Sequence, residues 1–249
     1  MSSKLLASRM EFWLRYRVRY VRNWLKKPRT GSHKSASTSE SDWQNIAQEG
    51  EFAFHRTDTW RVTSDFMDQS EALFAYFGFI PDDWEGKTVL DLGAGSKLRS
   101  KYFFNSKIIV IEPLADRFIR EISWSDLSDA HSVHSVPAEH LVEELTDSID
   151  LVISINVLDH CFNIQEILNN IEKYLRPNGI AFISFDKHTQ IDELHPLVLT
   201  EKTCIPLIER AGLEIVKQTK GLGSTLRGRQ TYGHGPYALN FWLRPKLRA

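Results

Sequence analysis

The stretch from Thr88 to Ser96, TVLDLGAGS, combines an apolar run, one acid and two glycines within nine residues. Three of the four residues from 89 to 92 are apolar, the fourth is Asp91, and Gly-x-Gly follows. This pattern predicts a buried strand that ends in a tight turn. Because Gly93 and Gly95 carry no Cβ, the backbone of this turn can approach a ligand closely. A helix after such a turn points its free N–H groups at the ligand, so we expect a helix here. The stretch therefore predicts a cofactor site.

A second acid stands where a neighbouring strand is expected to end. Glu112 follows Asp91 by 21 residues, and an acid at about this separation can hold two ribose hydroxyls with one carboxylate. The dinucleotide fingerprint G-x-G-x-x-G would require glycine at position 98, which is Leu98. The two motifs together indicate a nucleoside cofactor, and the missing third glycine disfavours an NAD-linked reductase.

Strand-like and helix-like segments alternate from position 88 onward, which indicates an α/β fold. Strands are predicted over residues 88–92, 107–112, 131–136, 149–155, 179–185 and 212–218, with a last, antiparallel edge strand over 237–243. Helices are predicted over residues 113–122, 138–145, 164–175 and 200–213. Apolar strands separated by helices predict a doubly wound, mostly parallel seven-stranded, Rossmann-like sheet with helices on both faces. Ligands of such sheets bind beyond the carboxyl ends of the strands.

Composition limits the class of protein. The 249 residues suffice for one domain of catalytic size with small additional segments. The two cysteines, Cys161 and Cys204, have no CxxC spacing, which excludes a disulfide framework and favours a reducing compartment. We predict no metal site. The chain divides into a basic helix with a Ser-rich linker over 1–41, a helical cap over 42–87 and a cofactor-binding domain over 88–249.

The cap segment is rich in aromatic residues and reads as two or more helical pieces. Gly78 is placed to end the last of them. We expect these helices to cover the core. Trp60, Arg61 and Phe66 are candidates for a lid, because they precede the core sheet and could fold over its binding edge.

The net charge of −1 conceals a basic N-terminal arm. Ten Lys or Arg precede Glu40 against one acid, Glu11, so the remainder has 31 − 10 = 21 basic and 32 − 1 = 31 acidic residues. Residues 5–27 predict an amphipathic helix with an Arg-rich face, a pattern typical of helices that lie in a membrane surface. Packing on the body and removal as an organelle transit peptide remain alternatives, and nucleic-acid binding is least favoured. We expect either a cytoplasmic protein, with or without peripheral membrane contact, or organelle import.

Five segments, in order, resemble motifs of class I S-adenosylmethionine-dependent methyltransferases of the small-molecule type. VLDLGAGS resembles the glycine-loop motif, IIVIEP the ribose-binding motif and VPAEHL the segment beside the adenine. DLVISINVLDHC resembles the segment after the fourth strand, and YLRPNGIAFISF resembles the turn and strand that follow. The resemblance covers roughly residues 84–218. It implies a methyltransferase with S-adenosyl-L-methionine as cofactor.

The resemblance also implies residue roles. The cofactor would contact Asp91, Gly93 and Gly95 at its methionine end, Glu112 at the ribose, Pro113, Ala138 and Glu139 around the adenine, and Asn156 and Val157 beneath it. Lys97 departs from the pattern, since the family commonly has glycine there. A non-catalytic protein that keeps the fold for binding or regulation is therefore the alternative to an enzyme.

Methyl transfer to a hydroxyl requires removal of one proton, and a base would come from the loops after the fourth and fifth strands. His160 is the first candidate, because it follows Asn156 by four positions and could share a helix face with it. His188, Asp159 and His195 follow, and a packing or turn role competes with catalysis at each position. We predict O-methylation of a small-molecule, saccharide or lipid-linked acceptor. Nothing in the sequence specifies an oligomeric state.

Overall fold

The structure, a computed structural model, describes residues 39–187, 195–221 and 238–246. The predicted amphipathic helix over 5–27, the linker up to residue 38 and His188 lie outside the described residues, so the predictions made for them remain predictions. Among the helices that are described, none is long and apolar enough to cross a membrane.

Seven strands form one sheet. They are β1 (Thr88–Leu92), β2 (Lys107–Ile111), β3 (Ser132–His134), β4 (Ile149–Ile155), β5 (Leu175–Asp186), β6 (Leu213–Gly221) and β7 (Ala238–Pro245). Their order is β3-β2-β1-β4-β5-β7-β6, with β1 to β5 parallel and β7 antiparallel to both of its neighbours. The winding reverses between β1 and β4, which is where sheets of this kind form a ligand crevice.

Helices cover both faces of the sheet, as the alternating pattern predicts. They are α1 (Glu49–Thr57), α2 (Ser64–Tyr76), α3 (Ala115–Glu121), α4 (Ile164–Tyr174) and α5 (Glu201–Arg210). Leu90 and Leu92 of β1 belong to the same buried cluster as α4 and α5, whereas Val89 belongs to the cluster around α2. Successive residues of a strand point to opposite faces, so this one strand contributes to two cores. The predicted fold class is confirmed.

The cap begins with a three-residue α-helical segment at Glu40–Asp42 and a π-helical segment at Trp43–Gln48 that continues directly into α1. A 3₁₀ turn at Thr59–Val62 separates α1 from α2. Gly78 follows α2 with a φ of 85°, a conformation that glycine adopts at little cost, and thus ends the helix as predicted. Further 3₁₀ turns lie at Pro81–Trp84, Arg99–Tyr102, Leu127–Asp129, Glu143–Leu145 and Leu158–His160.

The crossover from β1 to β2, which the structure describes in full, lacks the α-helix expected after the glycine loop. Residues 93–106 connect β1 to β2 and contain only the 3₁₀ turn Arg99–Tyr102. Leu98, Ser100 and Phe103 are all fully buried, so the segment packs as an irregular chain instead of presenting one apolar helical face. The prediction of helix N–H groups aimed at the ligand was therefore wrong.

The helix predicted over 138–145 is also wrong, since only the turn Glu143–Leu145 forms there. Side chains of α4 bind the backbone groups that a helix would have paired. Asn170 donates to the carbonyl oxygens of Ala138 and Glu139 at 3.1 and 2.9 Å. The hydroxyl of Tyr174 accepts from the backbone N–H of Val142 at 2.9 Å.

The last strand is antiparallel, as predicted, but it does not lie at the edge. β7 lies between β5 and β6, and every described residue of β7 except Arg244 is buried. Its sequence, ALNFWLRP, is apolar at consecutive positions, which suits a strand covered on both faces. The edge position belongs to β6, whose residues are mostly part-exposed.

Replacement of Phe74 in α2 tests this packing. Its fully buried ring lies 5.0 Å from that of Phe103 and 5.1 Å from that of Tyr102, between centroids. We expect Phe74→Ala to lower the free energy of unfolding by about 3–5 kcal/mol, measured by urea denaturation. Tyr76→Ala in the same helix is the control, because Tyr76 is 59% exposed and should cost under about 0.5 kcal/mol. Equal losses in the two variants would contradict the packing described.

Candidate cofactor site

A cavity lies at the carboxyl ends of β1, β2 and β4, against the cap helix α1. Most of the predicted site residues line it, namely Gly93, Gly95, Glu112, Pro113, Ala138, Glu139, Asn156, Val157 and His160. Asp91 is not among the lining residues, and His188 lies outside the described part of the chain. The structure thus brings together residues that are far apart in sequence, and their individual roles remain predictions.

The two glycines of the loop are required by close packing. Both have positive φ, 76° at Gly93 and 66° at Gly95. A Cβ at Gly93 would stand 2.4 Å from a methyl carbon of Val157, and one at Gly95 would stand 2.6 Å from Cε1 of His55. No side chain fits at either position without movement of its neighbours.

Glu112 lies against the glycine loop. Its carboxylate accepts hydrogen bonds from the backbone N–H of Gly95 at 2.9 Å and of Leu114 at 3.0 Å. Burial raises the pKa of Glu112 to about 7, although the two N–H groups act in the opposite direction. Each carboxylate oxygen has a second lone pair, which leaves acceptor capacity for a hydroxyl of a ligand.

Asp91 lies within the sheet, behind the loop. Its neighbours in register are Val110 of β2 and Ile153 of β4, and only 5% of the residue is exposed. Burial raises its pKa, while Ser100 and the charge of Arg99 oppose that rise. Asp91 therefore interacts with the crossover turn at Arg99–Tyr102, and its predicted contact with the methionine end of the cofactor remains a prediction.

Glu139 connects two walls of the cavity. One of its carboxylate oxygens accepts from the backbone N–H groups of Phe162 and Asn163 at 2.8 and 3.1 Å. Burial raises the pKa of Glu139, and these two N–H groups counteract the rise. Together with the two hydrogen bonds that Asn170 donates to this segment, the contacts fix the predicted adenine side of the cavity.

Asn156 directly follows β4 and has a left-handed backbone, with a φ of 61°. Asparagine is one of the few residues other than glycine that adopts this conformation readily. Its backbone N–H donates to the carbonyl of Ser184 in β5 at 2.6 Å. The kink places the Asn156 side chain in the cavity wall, 3.2 Å from Nε2 of His160.

His160 lies in the cavity wall together with Asn156. The expected α-helix with both residues on one face does not form. His160 ends a short 3₁₀ turn, Leu158–His160. Its Nδ1 lies 3.1 Å from a carboxylate oxygen of Glu51, and its ring centroid lies 4.5 Å from that of His195. The contact between Nδ1 and this carboxylate is an ion pair when the ring is protonated.

Three of these side chains could also hold a cation. Asp159, His160 and His195 each offer one ligand atom, and these atoms all lie within 4.8 Å of one another. Imidazole nitrogens and a carboxylate are donors that suit a transition-metal ion. The sequence-based prediction of no metal site remains a prediction.

Sequence reasoning missed four lining residues from the cap, namely Trp43, Gln48, Glu51 and His55. The proposed lid residues Trp60, Arg61 and Phe66 do not line the cavity, because Phe66 is fully buried and Arg61 pairs with Asp58 at 3.2 Å. The signal that could have found the site was the spacing of Glu51 and His55. Residues four apart share one face of a helix.

Lys97, the departure from the glycine-loop pattern, does not line the cavity. Its ammonium group lies 3.3 Å from a carboxylate oxygen of Asp126, which also pairs with Lys101 at 2.8 Å. The same Asp126 side chain accepts from the backbone N–H of Leu98 at 2.8 Å. Lys97 is therefore part of a contact that supports the crossover.

The cavity suits a cationic nucleoside. Among the described residues that line it are three carboxylates, Glu51, Glu112 and Glu139, and no Lys or Arg. A cavity lined by acids favours a positively charged ligand such as a sulfonium. The glycine loop admits close backbone approach, and Pro113, Leu114 and Ala138 provide apolar contact for a base. Together with the doubly wound sheet, these features define the class as an adenosyl-cofactor-binding α/β protein.

Comparison with known proteins identifies the family. Residues 67–197 match the family described as "Methyltransferase domain", which is more than half of the chain, and the chain belongs to that family. The predicted resemblance is thereby confirmed. The protein is a class I S-adenosylmethionine-dependent methyltransferase, and S-adenosylmethionine is its cofactor.

Similar proteins and structures agree with this assignment. A 1,6-didemethyltoxoflavin-N1-methyltransferase from Burkholderia thailandensis, with bound S-adenosylhomocysteine, has a TM-score of 0.56 at 17% identity, covering 86% of this chain and 93% of that one. Phosphoethanolamine N-methyltransferase 2 from Haemonchus contortus, in complex with S-adenosyl-L-methionine, has a TM-score of 0.56 at 15% identity, covering 85% and 60%. These structures share the fold.

Curated relatives are similar over a shorter stretch. The ubiquinone biosynthesis O-methyltransferase of Rickettsia prowazekii is 36% identical over 62 residues. That alignment covers 24% of this chain and 25% of the relative, so the chain matches about a quarter of the relative's length.

Replacement of Gly93 tests the loop geometry. We expect Gly93→Ala to weaken S-adenosylhomocysteine binding by about tenfold or more, because the new methyl collides with Val157 and positive φ is strained. Isothermal titration calorimetry measures the affinity. Gly78→Ala is the matched control, since Gly78 has a φ of 85° and no atom within 4 Å of the added Cβ. Equal loss of affinity in both variants would refute a specific role for the loop.

Proposed function

We propose that this methyltransferase transfers the methyl group to the oxygen of a small-molecule hydroxyl, with His160 as the general base. The observation that carries the proposal is the position of His160, a mostly buried imidazole in the cavity wall at the end of the 3₁₀ turn that follows β4. A hydroxyl acceptor must lose a proton during methylation, and histidine is the side chain best suited to accept it near neutral pH.

Two further observations support this choice. The curated relatives are O-methyltransferases, which favours oxygen as the acceptor atom. The imidazole has a carboxylate oxygen of Glu51 at Nδ1, and at Nε2 it has the side-chain amide of Asn156 at 3.2 Å and a carboxylate oxygen of Asp159 at 3.7 Å. A base that is oriented from one side and weakly held on the other can exchange its amide partner for a substrate hydroxyl.

When bound, S-adenosylmethionine would supply an electrophilic methyl group to the acceptor oxygen and would leave as the neutral thioether. Nε2 of His160 would accept the proton of the acceptor hydroxyl, so that the positive charge would lie on the imidazolium. Residues of the cavity wall, among them Asn156 and Glu112, hold the reactants in place, and such positioning accounts for much of the rate of a displacement reaction.

A methyl-transfer assay tests the proposal. The full chain is incubated with S-adenosylmethionine labelled in the methyl group and, in separate arms, with catechols and other phenols, with saccharides and with a lipid extract. We expect label to enter hydroxyl compounds in an alkali-stable ether. His160→Gln should slow the transfer about 10²- to 10⁴-fold.

His131→Gln is the control, because His131 is exposed in the residue before β3 and does not line the cavity. It should retain the rate of the unmodified protein. A His160→Gln variant that keeps its rate within twofold, or label found only on nitrogen, would refute the proposal. Label found in the lipid or saccharide arm alone would correct the acceptor class to a lipid-linked or sugar hydroxyl.

A further inference from the structure

The cap helix α1 places one acid, Glu51, between two histidines. His55 belongs to the same helix, and His160 belongs to the turn after β4. One carboxylate oxygen lies 3.1 Å from Nδ1 of His160, and the other lies 3.8 Å from Nε2 of His55. The side chain is only 20% exposed. Since His55 is one helical turn further along α1, both residues face the cavity from the same side of that helix.

The hydrogen bonds around His160 determine which nitrogen carries its proton. The amide nitrogen of Asn156, which can only donate, lies 3.2 Å from Nε2. This amide and the Glu51 carboxylate 3.1 Å from Nδ1 favour the tautomer in which Nε2 accepts and Nδ1 carries the proton, against the more distant Asp159 carboxylate at 3.7 Å from Nε2. This arrangement directs the basic nitrogen towards Asn156 and the cavity.

His55 does not compete for the charge of Glu51. Its Nδ1 accepts from the hydroxyl of Ser96 at 2.7 Å and from the backbone N–H of Ser96 at 3.3 Å. Burial lowers the pKa of His55 to about 3, with the charge of Arg61 acting in the same direction, so the ring is neutral. The negative charge of Glu51 is thus available to stabilise a positive charge on His160.

Glu51 remains ionised in this setting. Burial acts to raise its pKa, but the charge and contact of His160, followed by His55 and His195, outweigh burial and place the pKa below its ordinary value. The titratable and charged groups that face the pair of Glu51 and His160 are His55, Arg61, Glu112, Asp159 and His195.

The cap is fixed at the position where it meets His160. The indole N–H of Trp43 donates to the backbone carbonyl of His160 at 2.6 Å, and the Trp43 ring packs against Phe162 at 5.1 Å between centroids. The π-helical segment that begins at Trp43 continues directly into α1. The hydrogen bond from Trp43 to the His160 carbonyl therefore holds the start of the cap next to His160, close to where Glu51 meets the imidazole.

We propose that Glu51 is a positioning residue, which orients His160 through Nδ1 and stabilises the imidazolium formed when Nε2 accepts the acceptor's proton. This inference rests on the proposed function, in which His160 is the base. It assigns a part of the catalytic apparatus to the cap, outside the segments of the sequence that resemble the methyltransferase motifs. A carboxylate paired with the far nitrogen of a catalytic histidine holds the tautomer and favours its protonated form.

The pKa of His160 is the most direct test, because it requires no acceptor. We titrate the histidine ring signals of the full chain by NMR and assign His160 from the signal missing in His160→Gln. Glu51→Gln removes an anion next to the ring, so the imidazolium loses its proton at lower pH. We expect the pKa of His160 to fall by about one unit or more.

Glu49→Gln is the matched control. Glu49 lies two residues earlier in α1, is largely exposed and pairs with Arg117, away from the cavity. We expect this variant to leave the pKa of His160 unchanged. The affinity of the Glu51→Gln variant for S-adenosylhomocysteine is measured as well. A value within about threefold of that of the unmodified protein shows that the cavity has kept its structure.

Activity provides the second measurement, with the acceptor found in the labelled-methyl assay. Glu51→Gln should lower kcat by about 10²-fold with little change in KM, and the acid limb of the pH profile should move to lower pH. Glu51→Asp keeps the charge on a shorter side chain and should recover part of the rate. Glu49→Gln should behave as the unmodified protein.

The outcomes distinguish this inference from the proposed function. Full activity in His160→Gln would refute both. An inactive His160→Gln together with an unchanged His160 pKa and rate in Glu51→Gln would overturn the role of Glu51 alone. A stoichiometric divalent metal ion in the purified protein that is lost in Glu51→Gln would also overturn it, because the carboxylate would then be a ligand.

Discussion

The packing of the cap against the glycine loop is the contact on which the rest of the site depends. His55 fills the space that a Cβ at Gly95 would need. Nδ1 of its ring accepts hydrogen bonds from the hydroxyl and from the backbone N–H of Ser96. The crossover contains no α-helix, only the 3₁₀ turn Arg99–Tyr102, so this loop lacks the support of a helix after the first strand. A neutral, buried histidine from outside the sheet holds the loop in its place.

Several features of the site could be predicted from the sequence, because they depend on local rules. A buried strand that ends in Gly-x-Gly indicates a close backbone approach, and Glu112 is found at the end of the next strand as expected. Asn156 and Val157 line the cavity just after β4, where the resemblance placed them. In each case one residue type at one position carries the information, so no knowledge of distant contacts is needed.

The features that were missed depend on contacts between distant segments. The turn over 138–145 looks helical by periodicity, but side chains of α4 bind its backbone groups. The apolar sequence of β7 does not reveal whether it lies at an edge or between two strands. Glu51 and His55 have a helical spacing that a surface helix would share, and only the fold shows that this face meets His160.

The cap helix α1 lines the cavity with Glu51 and His55 and brings Glu51 to His160. A crystal structure of the full chain with S-adenosylhomocysteine would show whether this arrangement holds the ligand. We predict that the ligand lies over Gly93 and Gly95, between Glu112 and Asn156, with the carboxylate of Glu51 still in contact with His160. A ligand bound outside this cavity, or an α1 helix displaced so that Glu51 no longer reaches His160, would refute the role given to the cap helix.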